Sequence, residues 1–146
     1  MKENRKQHVR NGFTMVELMA VLIILGLLAG VVVRSFIGQV DLAKVKTTQA
    51  SLKLLHSAIN EYHMNTGQWP GEDEGLYVLI EPPANATNWP VGGYLDTTDI
   101  PPDGWGHEFV YELYPESGKP FVIKSLGADG QQGGEGYDAD LLSTDI

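Results

Sequence analysis

The fold is decided by the stretch that begins Phe13-Thr14-Met15-Val16-Glu17 and continues as LMAVLIILGLLAGVVV over residues 18–33. These residues are almost all apolar, and Glu17 carries their only charge. At about 1.5 Å of rise per residue, a helix over 13–33 is long enough to cross a bilayer. A carboxylate in such a segment costs roughly 2.5–3.5 kcal/mol on insertion scales, so it normally marks a functional partner.

A short basic leader, MKENRKQHVRNG, precedes this stretch and carries a net charge of +3. Because the whole chain carries −9, everything after Gly12 sums to −12. The basic leader is expected to stay in the cytoplasm, which places the C-terminal part outside. An acidic body argues against nucleic-acid binding, which needs a basic patch. An uncleaved signal anchor remains an alternative, but it leaves Glu17 without a role.

This arrangement resembles the processing site of type IV pilins and pseudopilins, in which a membrane peptidase cleaves after the leader glycine. The resemblance implies cleavage between Gly12 and Phe13, followed by N-methylation of Phe13. Glu17 would then face the amine of Phe13 in the neighbouring subunit, a pairing that offsets the desolvation cost of both charges. The implied organisation is a cleaved leader over 1–12, a membrane and assembly segment over 13–34, and a periplasmic domain over 35–146.

The helical pattern continues beyond the membrane segment without a proline, to a stop at Asn65-Thr66-Gly67. A row at spacings of three and four predicts the face that packs on the rest of the domain: Val40, Ala43, Thr47, Ala50, Leu54, Ala58 and Tyr62, flanked by Leu55 and Ile59. A short helix is expected over 75–80, with Leu76, Leu79 and Ile80 as its core face.

Two runs downstream predict an antiparallel hairpin: HEFVYELY at 107–114 and KPFVIKSL at 119–126, joined by a Pro-Glu-Ser-Gly turn. Packing this hairpin on the helix would bury Phe109, Tyr111, Phe121 and Ile123. A short third strand is expected near Leu141-Leu142. The predicted fold class is therefore α+β, with a long N-terminal helix packed against a small antiparallel sheet, as in pilin-like proteins.

Two further motifs resemble the major pseudopilins of type II secretion. Trp69-Pro70 is followed a few residues on by Gly75-Leu76, and the segment 100–106, IPPDGWG, is similar to the family's Pro-x-Asp-Pro-Trp-Gly turn. Gly104 stands where that turn has its second proline, and we expect it to make the turn less rigid.

The segment GADGQQGGEGYDAD at 127–140 is the chemically richest part of the chain. Its glycines free the backbone and its carboxylates are hard oxygen ligands, so it is either a solvated loop or a Ca²⁺ site. It lacks the register of an EF-hand. The resemblance implies a structural Ca²⁺ with Asp129 as a ligand. We expect Asp138 and Asp140 to be the other side-chain ligands, with the carbonyls of Leu126 and nearby glycines, and Glu135 in reserve.

The chain contains no cysteine, and no catalytic motif is found, so an enzyme is not predicted. The resemblance implies the major subunit of a pseudopilus that polymerises through its N-terminal helices to drive export of folded proteins across the outer membrane. Its implied partners are other copies of itself, minor pseudopilins, the prepilin peptidase, an inner-membrane assembly platform and an outer-membrane secretin. A type IV pilin, which usually has a C-terminal cysteine pair, and a single-pass anchored calcium-binding or enzymatic domain are the alternatives.

Overall fold

The computed structural model describes residues 12–84, 86 and 88–146, with the side chains of 34–37 left aside. The chain divides into two units, Met1–Gln39 and Val40–Ile146. One α-helix, α1 (Met15–Thr66), is the regular structure of the first unit and opens the second. The leader, apart from Gly12, lies outside the described residues, so its cleavage stays a prediction.

Helix α1 ends where the sequence predicts. Its last residue is Thr66, whose hydroxyl donates to the Tyr62 carbonyl oxygen at 2.8 Å. Gly67 follows with φ 76°, and its N–H donates to the His63 carbonyl oxygen at 2.8 Å. A glycine in the left-handed region is the usual way to terminate a helix, because other residues pay a steric cost there.

The buried face of α1 differs from the predicted row. The side chains with almost no exposure follow a neighbouring row: Thr48, Leu52, Leu55, Ile59 and Tyr62. Of the predicted row only Ala58 and Tyr62 are buried, whereas Val40 and Leu54 are about half exposed, at 51% and 52%. The predicted flanking residues Leu55 and Ile59 are confirmed as buried, but the centre of the buried face was wrong. Both rows have helical spacing, and the row with the larger Leu and Ile side chains removes more apolar surface from water.

The sheet has three antiparallel strands in the order β1 (Val110–Leu113), β2 (Phe121–Ser125) and β3 (Leu141–Leu142). Leu113 lies opposite Phe121, and Ser125 lies opposite Leu141. The hairpin and the third strand are confirmed, but β1 and β2 are shorter than predicted. Tyr114 leaves β1 with φ 49°, and its N–H donates to the Pro120 carbonyl oxygen at 2.9 Å to close the hairpin loop.

The core of the second unit lies between α1 and this sheet. Phe109, Phe121 and Ile123 are buried as predicted, and Tyr111 is half-buried with its hydroxyl donating to the Pro70 carbonyl oxygen at 3.0 Å. The expected short helix is a 3₁₀ helix, Gly75–Leu79, which buries Leu76, Val78 and Leu79.

Two histidines of α1 pack on aromatic rings of the same core. The His56 ring lies 4.7 Å from that of Phe121, and the His63 ring stacks on that of Trp69 at 3.7 Å and 7°. Trp69 in turn lies 5.0 Å from Phe121 at a tilted angle, so the four rings form one continuous cluster against the helix.

Candidate functional site

Glu17 lies in the first turn of α1 and bonds to its own chain. The Thr14 N–H donates to Glu17 Oε2 at 2.9 Å, and the Thr14 hydroxyl donates to the same oxygen at 3.1 Å. The Glu17 N–H donates to Thr14 Oγ1 at 3.2 Å. This reciprocal pair is a capping box, which satisfies N–H groups that have no partner within the helix.

The capping box leaves part of the Glu17 carboxylate available. Both bonds from Thr14 go to Oε2, and no hydrogen bond reaches Oε1 within the part of the chain that the structure describes. Phe13, four residues before Glu17, is 83% exposed. The geometry therefore leaves one oxygen able to accept a hydrogen bond from another molecule.

The apolar side chains that follow Glu17 are exposed all round the helix. The most exposed include Met15 at 79%, Leu27 at 70% and Val31 at 68%. By length and composition alone, α1 is a helix that could cross a membrane, and none of its most apolar window is buried within the described residues. A helix that is apolar on every face must be buried by lipid or by other helices.

The acidic loop over 127–140 is folded back on itself. The Ala128 N–H donates to the Tyr137 carbonyl oxygen at 2.9 Å, and the Asp140 N–H donates to the Gly133 carbonyl oxygen at 3.2 Å. A Cβ on Gly127 would overlap the backbone of Asp138, so the two ends of the loop touch at a position that admits only glycine. The loop is therefore compact rather than an open solvated excursion.

The candidate calcium ligands occupy different surroundings within this loop. Asp129 accepts the Gln131 N–H on Oδ1 at 3.0 Å and is exposed, as are Glu135 and Asp138. Asp140 is half-buried, and its Oδ1 is buried without a hydrogen-bond partner. Among the described residues, no three acidic, His or Cys side chains come together as a metal-binding group. A cation here would therefore use backbone carbonyl oxygens as well. The Asp140 oxygen that has no hydrogen-bond partner is a ligand of the kind that Ca²⁺ binds.

Asp103 is a buried residue near the candidate site whose structural role the sequence reasoning missed. Its side chain has no exposure, and its Oδ1 accepts the N–H groups of Trp105 at 2.9 Å and His107 at 2.8 Å. Its Oδ2 accepts the hydroxyl of Ser125, the last residue of β2, at 2.6 Å. The signal for the two backbone bonds is visible in the sequence, because aspartate at the start of a turn commonly accepts such N–H groups. The bond to β2 is a tertiary contact and has no local signal.

Gly104 joins the same turn to α1. Its N–H donates to Thr48 Oγ1 at 2.8 Å, and a Cβ on Gly104 would overlap the Lys44 carbonyl oxygen. A proline would lack this N–H and would add atoms where the helix backbone lies. Gly104 therefore allows the turn to dock directly on the helix, and the lower rigidity expected of the turn stays a prediction.

His107 connects the turn to the base of the acidic loop. Its Nδ1 donates to the Gly127 carbonyl oxygen at 3.1 Å and lies 3.8 Å from Asp103 Oδ2. A Cβ built on Gly130 would lie 3.3 Å from the His107 ring. Helix α1, the 103–107 turn, β2 and the acidic loop thus meet around one buried carboxylate, which positions the candidate calcium ligands relative to the core.

Comparison with known families gives two matches that together span nearly the whole chain. Residues 8–33 match the prokaryotic N-terminal methylation motif, the stretch that contains the capping box and the start of the apolar helix. Residues 35–144 match the family of type II secretion system protein G.

Individual relatives agree with the family match. The chain is 37% identical to the type II secretion system core protein G of Pseudomonas aeruginosa, over 93% of this chain and 96% of that protein. It is also 37% identical to the core protein G of Vibrio cholerae, over 100% of this chain and 97% of that protein. The crystal structure of the major pseudopilin from the type 2 secretion system of enterohaemorrhagic Escherichia coli has the same fold, with a TM-score of 0.62, 23% identity and coverage of 75% of this chain and 94% of that chain. The second unit, Val40–Ile146, is called the head from here on. With its methylation motif, its capped apolar helix and a head of this fold, the chain belongs to the type II secretion system protein G family.

Proposed function

We propose that this chain is the major structural subunit of a type II secretion pseudopilus and that it polymerises through the first part of α1. The observation that carries the proposal is the apolar surface of residues 15–33, which is exposed on every side within one chain. Packing against identical helices, in a membrane and then in a filament, would bury it. The polymer would drive folded proteins across the outer membrane, and no catalytic or nucleic-acid-binding role is proposed.

The methylation motif and the basic leader support a proposal for processing and location. A prepilin peptidase would cleave between Gly12 and Phe13 and methylate Phe13, leaving the chain as a single-pass protein of the bacterial inner membrane with its head in the periplasm. Minor pseudopilins, an inner-membrane assembly platform and an outer-membrane secretin would be the other partners. Mass spectrometry of the mature N-terminus tests this directly, because a retained Met1 would contradict it.

Glu17 would act in assembly by accepting a hydrogen bond from the Phe13 ammonium of the adjacent subunit. The oxygen available for this is Oε1, since Oε2 is already held by Thr14. A carboxylate and an ammonium in an apolar setting stabilise each other only when paired, so each incoming subunit would be selected by this contact.

Two variants separate this role from the capping role. Glu17→Gln keeps a side chain that can complete the capping box but removes the negative charge. Thr14→Val keeps the charge and removes the hydroxyl, at a cost to the helix end of about 1 kcal/mol. We expect Glu17→Gln to abolish filaments seen by electron microscopy while membrane insertion persists, and Thr14→Val to retain them. Filaments from Glu17→Gln would leave Glu17 with a capping role alone.

We further propose that the acidic loop binds one structural Ca²⁺ through Asp129, Asp138, Asp140 and the Leu126 carbonyl, with Glu135 in reserve, and that binding draws together carboxylates that lie apart in the structure. The cation would neutralise a net-negative loop in a chain that has no disulfide. If it binds only the folded head, calcium at 100 times its Kd adds about 2.7 kcal/mol, which corresponds to roughly 10 °C in Tm. Chelation should reverse this shift, and Asp140→Asn should reduce it, whereas Asp96→Asn on the exposed 96–99 loop should not. An unchanged Tm on adding calcium to the wild-type chain would contradict the site.

A further inference from the structure

A groove in the second unit carries an excess of positive charge in an otherwise acidic domain. The basic groove, as we call it, lies between α1 and the C-terminal segment, has a volume of about 510 Å³, and is lined by residues that include Lys53, His56, Ser57, Lys119, Ser143 and Thr144. Its ten lining residues include two lysines and no Asp or Glu, although Asp145, next to the lining residues Thr144 and Ile146, accepts the Thr144 hydroxyl at 3.2 Å. Residues 40–146 contain five lysines and seventeen acidic residues, so this concentration of two lysines is unusual for the domain.

The two lysines of the basic groove have no ionic partner in the described part of their own chain, although Ser143 Oγ accepts the Ile123 N–H at 3.0 Å and the Thr144 hydroxyl donates to Asp145 Oδ1 at 3.2 Å. Lys53 and Lys119 are exposed, and neither takes part in an ion pair within the described residues, whereas Lys124 is paired with Glu112. His56 also lines the groove, but its Nδ1 atom is buried and has no hydrogen-bond partner. Two unpaired lysine cations that face one groove are suited to carboxylates.

The same unit presents three consecutive carboxylates elsewhere. Glu72, Asp73 and Glu74 form an exposed turn, which we call the acidic turn, held by the Gly75 N–H donating to the Gly71 carbonyl oxygen at 2.8 Å. None of the three side chains has a hydrogen bond or an ion pair within the described residues. The turn borders a second cleft, of about 260 Å³, whose lining adds Glu108 and the exposed Tyr77 and shares no residue with the basic groove.

We propose that the basic groove of one subunit receives the acidic turn of a second copy of this chain. The inference rests on the proposed assembly, because only a polymer holds the heads of identical chains in continuous contact. A helical filament requires a heterologous interface, in which two different surfaces of each subunit meet. Two complementary surfaces on one head meet that requirement, and their attraction offsets the repulsion between subunits that each carry a net charge of −12 after Gly12.

Charge reversal in the full-length chain, expressed with its secretion system, tests the pairing. Lys53→Glu with Lys119→Glu should reduce filament mass about tenfold, as should Glu72→Lys with Asp73→Lys, because like charges would then face each other. All four substitutions in one chain should restore filaments. Lys46→Glu, an exposed lysine of the same helix outside the groove, is the matched control and should have little effect. Failure of the four-residue variant to exceed either pair would overturn the proposal.

Cross-linking in the wild-type background gives a readout that separates this inference from the assembly itself. Because the chain has no cysteine, Asp73→Cys and Lys119→Cys can be introduced together and joined with a short bismaleimide. A ladder of covalent multimers is expected from the double variant, and dimers at most from either single variant. Filaments without a ladder would overturn the docking alone, whereas a ladder without filaments would overturn the proposed polymer and leave the docking standing.

Discussion

Two carboxylates, Glu17 in the first unit and Asp103 in the second, differ in how many hydrogen-bond donors their own chain gives them. Asp103 has no exposure and receives three hydrogen bonds from the N–H groups of its own turn and from Ser125. Glu17 is exposed on an apolar helix and is bonded only to Thr14, with one oxygen to spare among the described contacts. A buried charge is tolerated when its own fold supplies the donors. A charge on a surface that must itself be buried needs donors from another molecule.

The two units also differ in whether their apolar side chains are buried within the chain. In residues 40–146 the large side chains of α1, the 3₁₀ helix and the sheet bury one another. In residues 15–33 none of the apolar side chains is buried. The head is therefore expected to be stable as a single chain, while the first part of α1 depends on lipid or on further copies.

The largest effect should come from removing the buried carboxylate. Asp103→Ala would leave two N–H groups and a hydroxyl without their acceptor, at a cost of about 4 kcal/mol in the free energy of unfolding. All three tryptophans lie in the second unit, so urea unfolding of the full chain in detergent can be followed by their fluorescence. Asp96→Ala, at an exposed aspartate, is the control and should change little. Equal losses for both variants would remove the special role given to Asp103.

The next effect compares two leucines of one helix. Leu55 has 0% exposure and Leu25 has 55%. Leu55→Ala should cost about 3 kcal/mol in the same unfolding measurement, because it deletes packed core atoms. Leu25→Ala should leave the unfolding of the head unchanged and should weaken filament assembly instead. A loss of head stability in Leu25→Ala would show that the stability of the head depends on the first part of α1.

The smallest effect is on the pH dependence of Tm, and it tests the packing of His56 within the head rather than assembly. Burial beside Phe121 lowers the pKa of His56 below its usual value of 6.5. Folding therefore favours the neutral ring, so its contribution is fully present above a pH of about 6.5 and is lost as the pH falls through the lower pKa of the folded chain. Tm should fall less between about pH 7.5 and about pH 5 in His56→Phe than in the wild type. Identical falls would contradict this assignment.

The parts of the fold that the sequence predicted are those with a local physical cause. The apolar run, the stop at Gly67 and the hairpin turn each follow from hydrophobicity, a left-handed glycine or turn residues that act over a few positions. The capping box was missed, although Thr14 and Glu17 stand at its spacing, because the carboxylate was interpreted only as an intermolecular partner. Of the site residues, Asp129 followed a recognisable motif, while the surroundings of Asp140 could not be foreseen.

The sequence by itself determined that an apolar helix with one early carboxylate leads into an acidic α+β head, since composition and periodicity are properties of neighbouring residues. Only the tertiary structure decided which row of α1 is buried, because two rows share the helical period and the sheet selects between them. It also decided that Asp103 bonds Ser125 and that Gly104 touches the helix at Lys44. Those contacts join residues distant in the chain, and the free energy that selects them comes from packing and hydrogen bonding that no local pattern records.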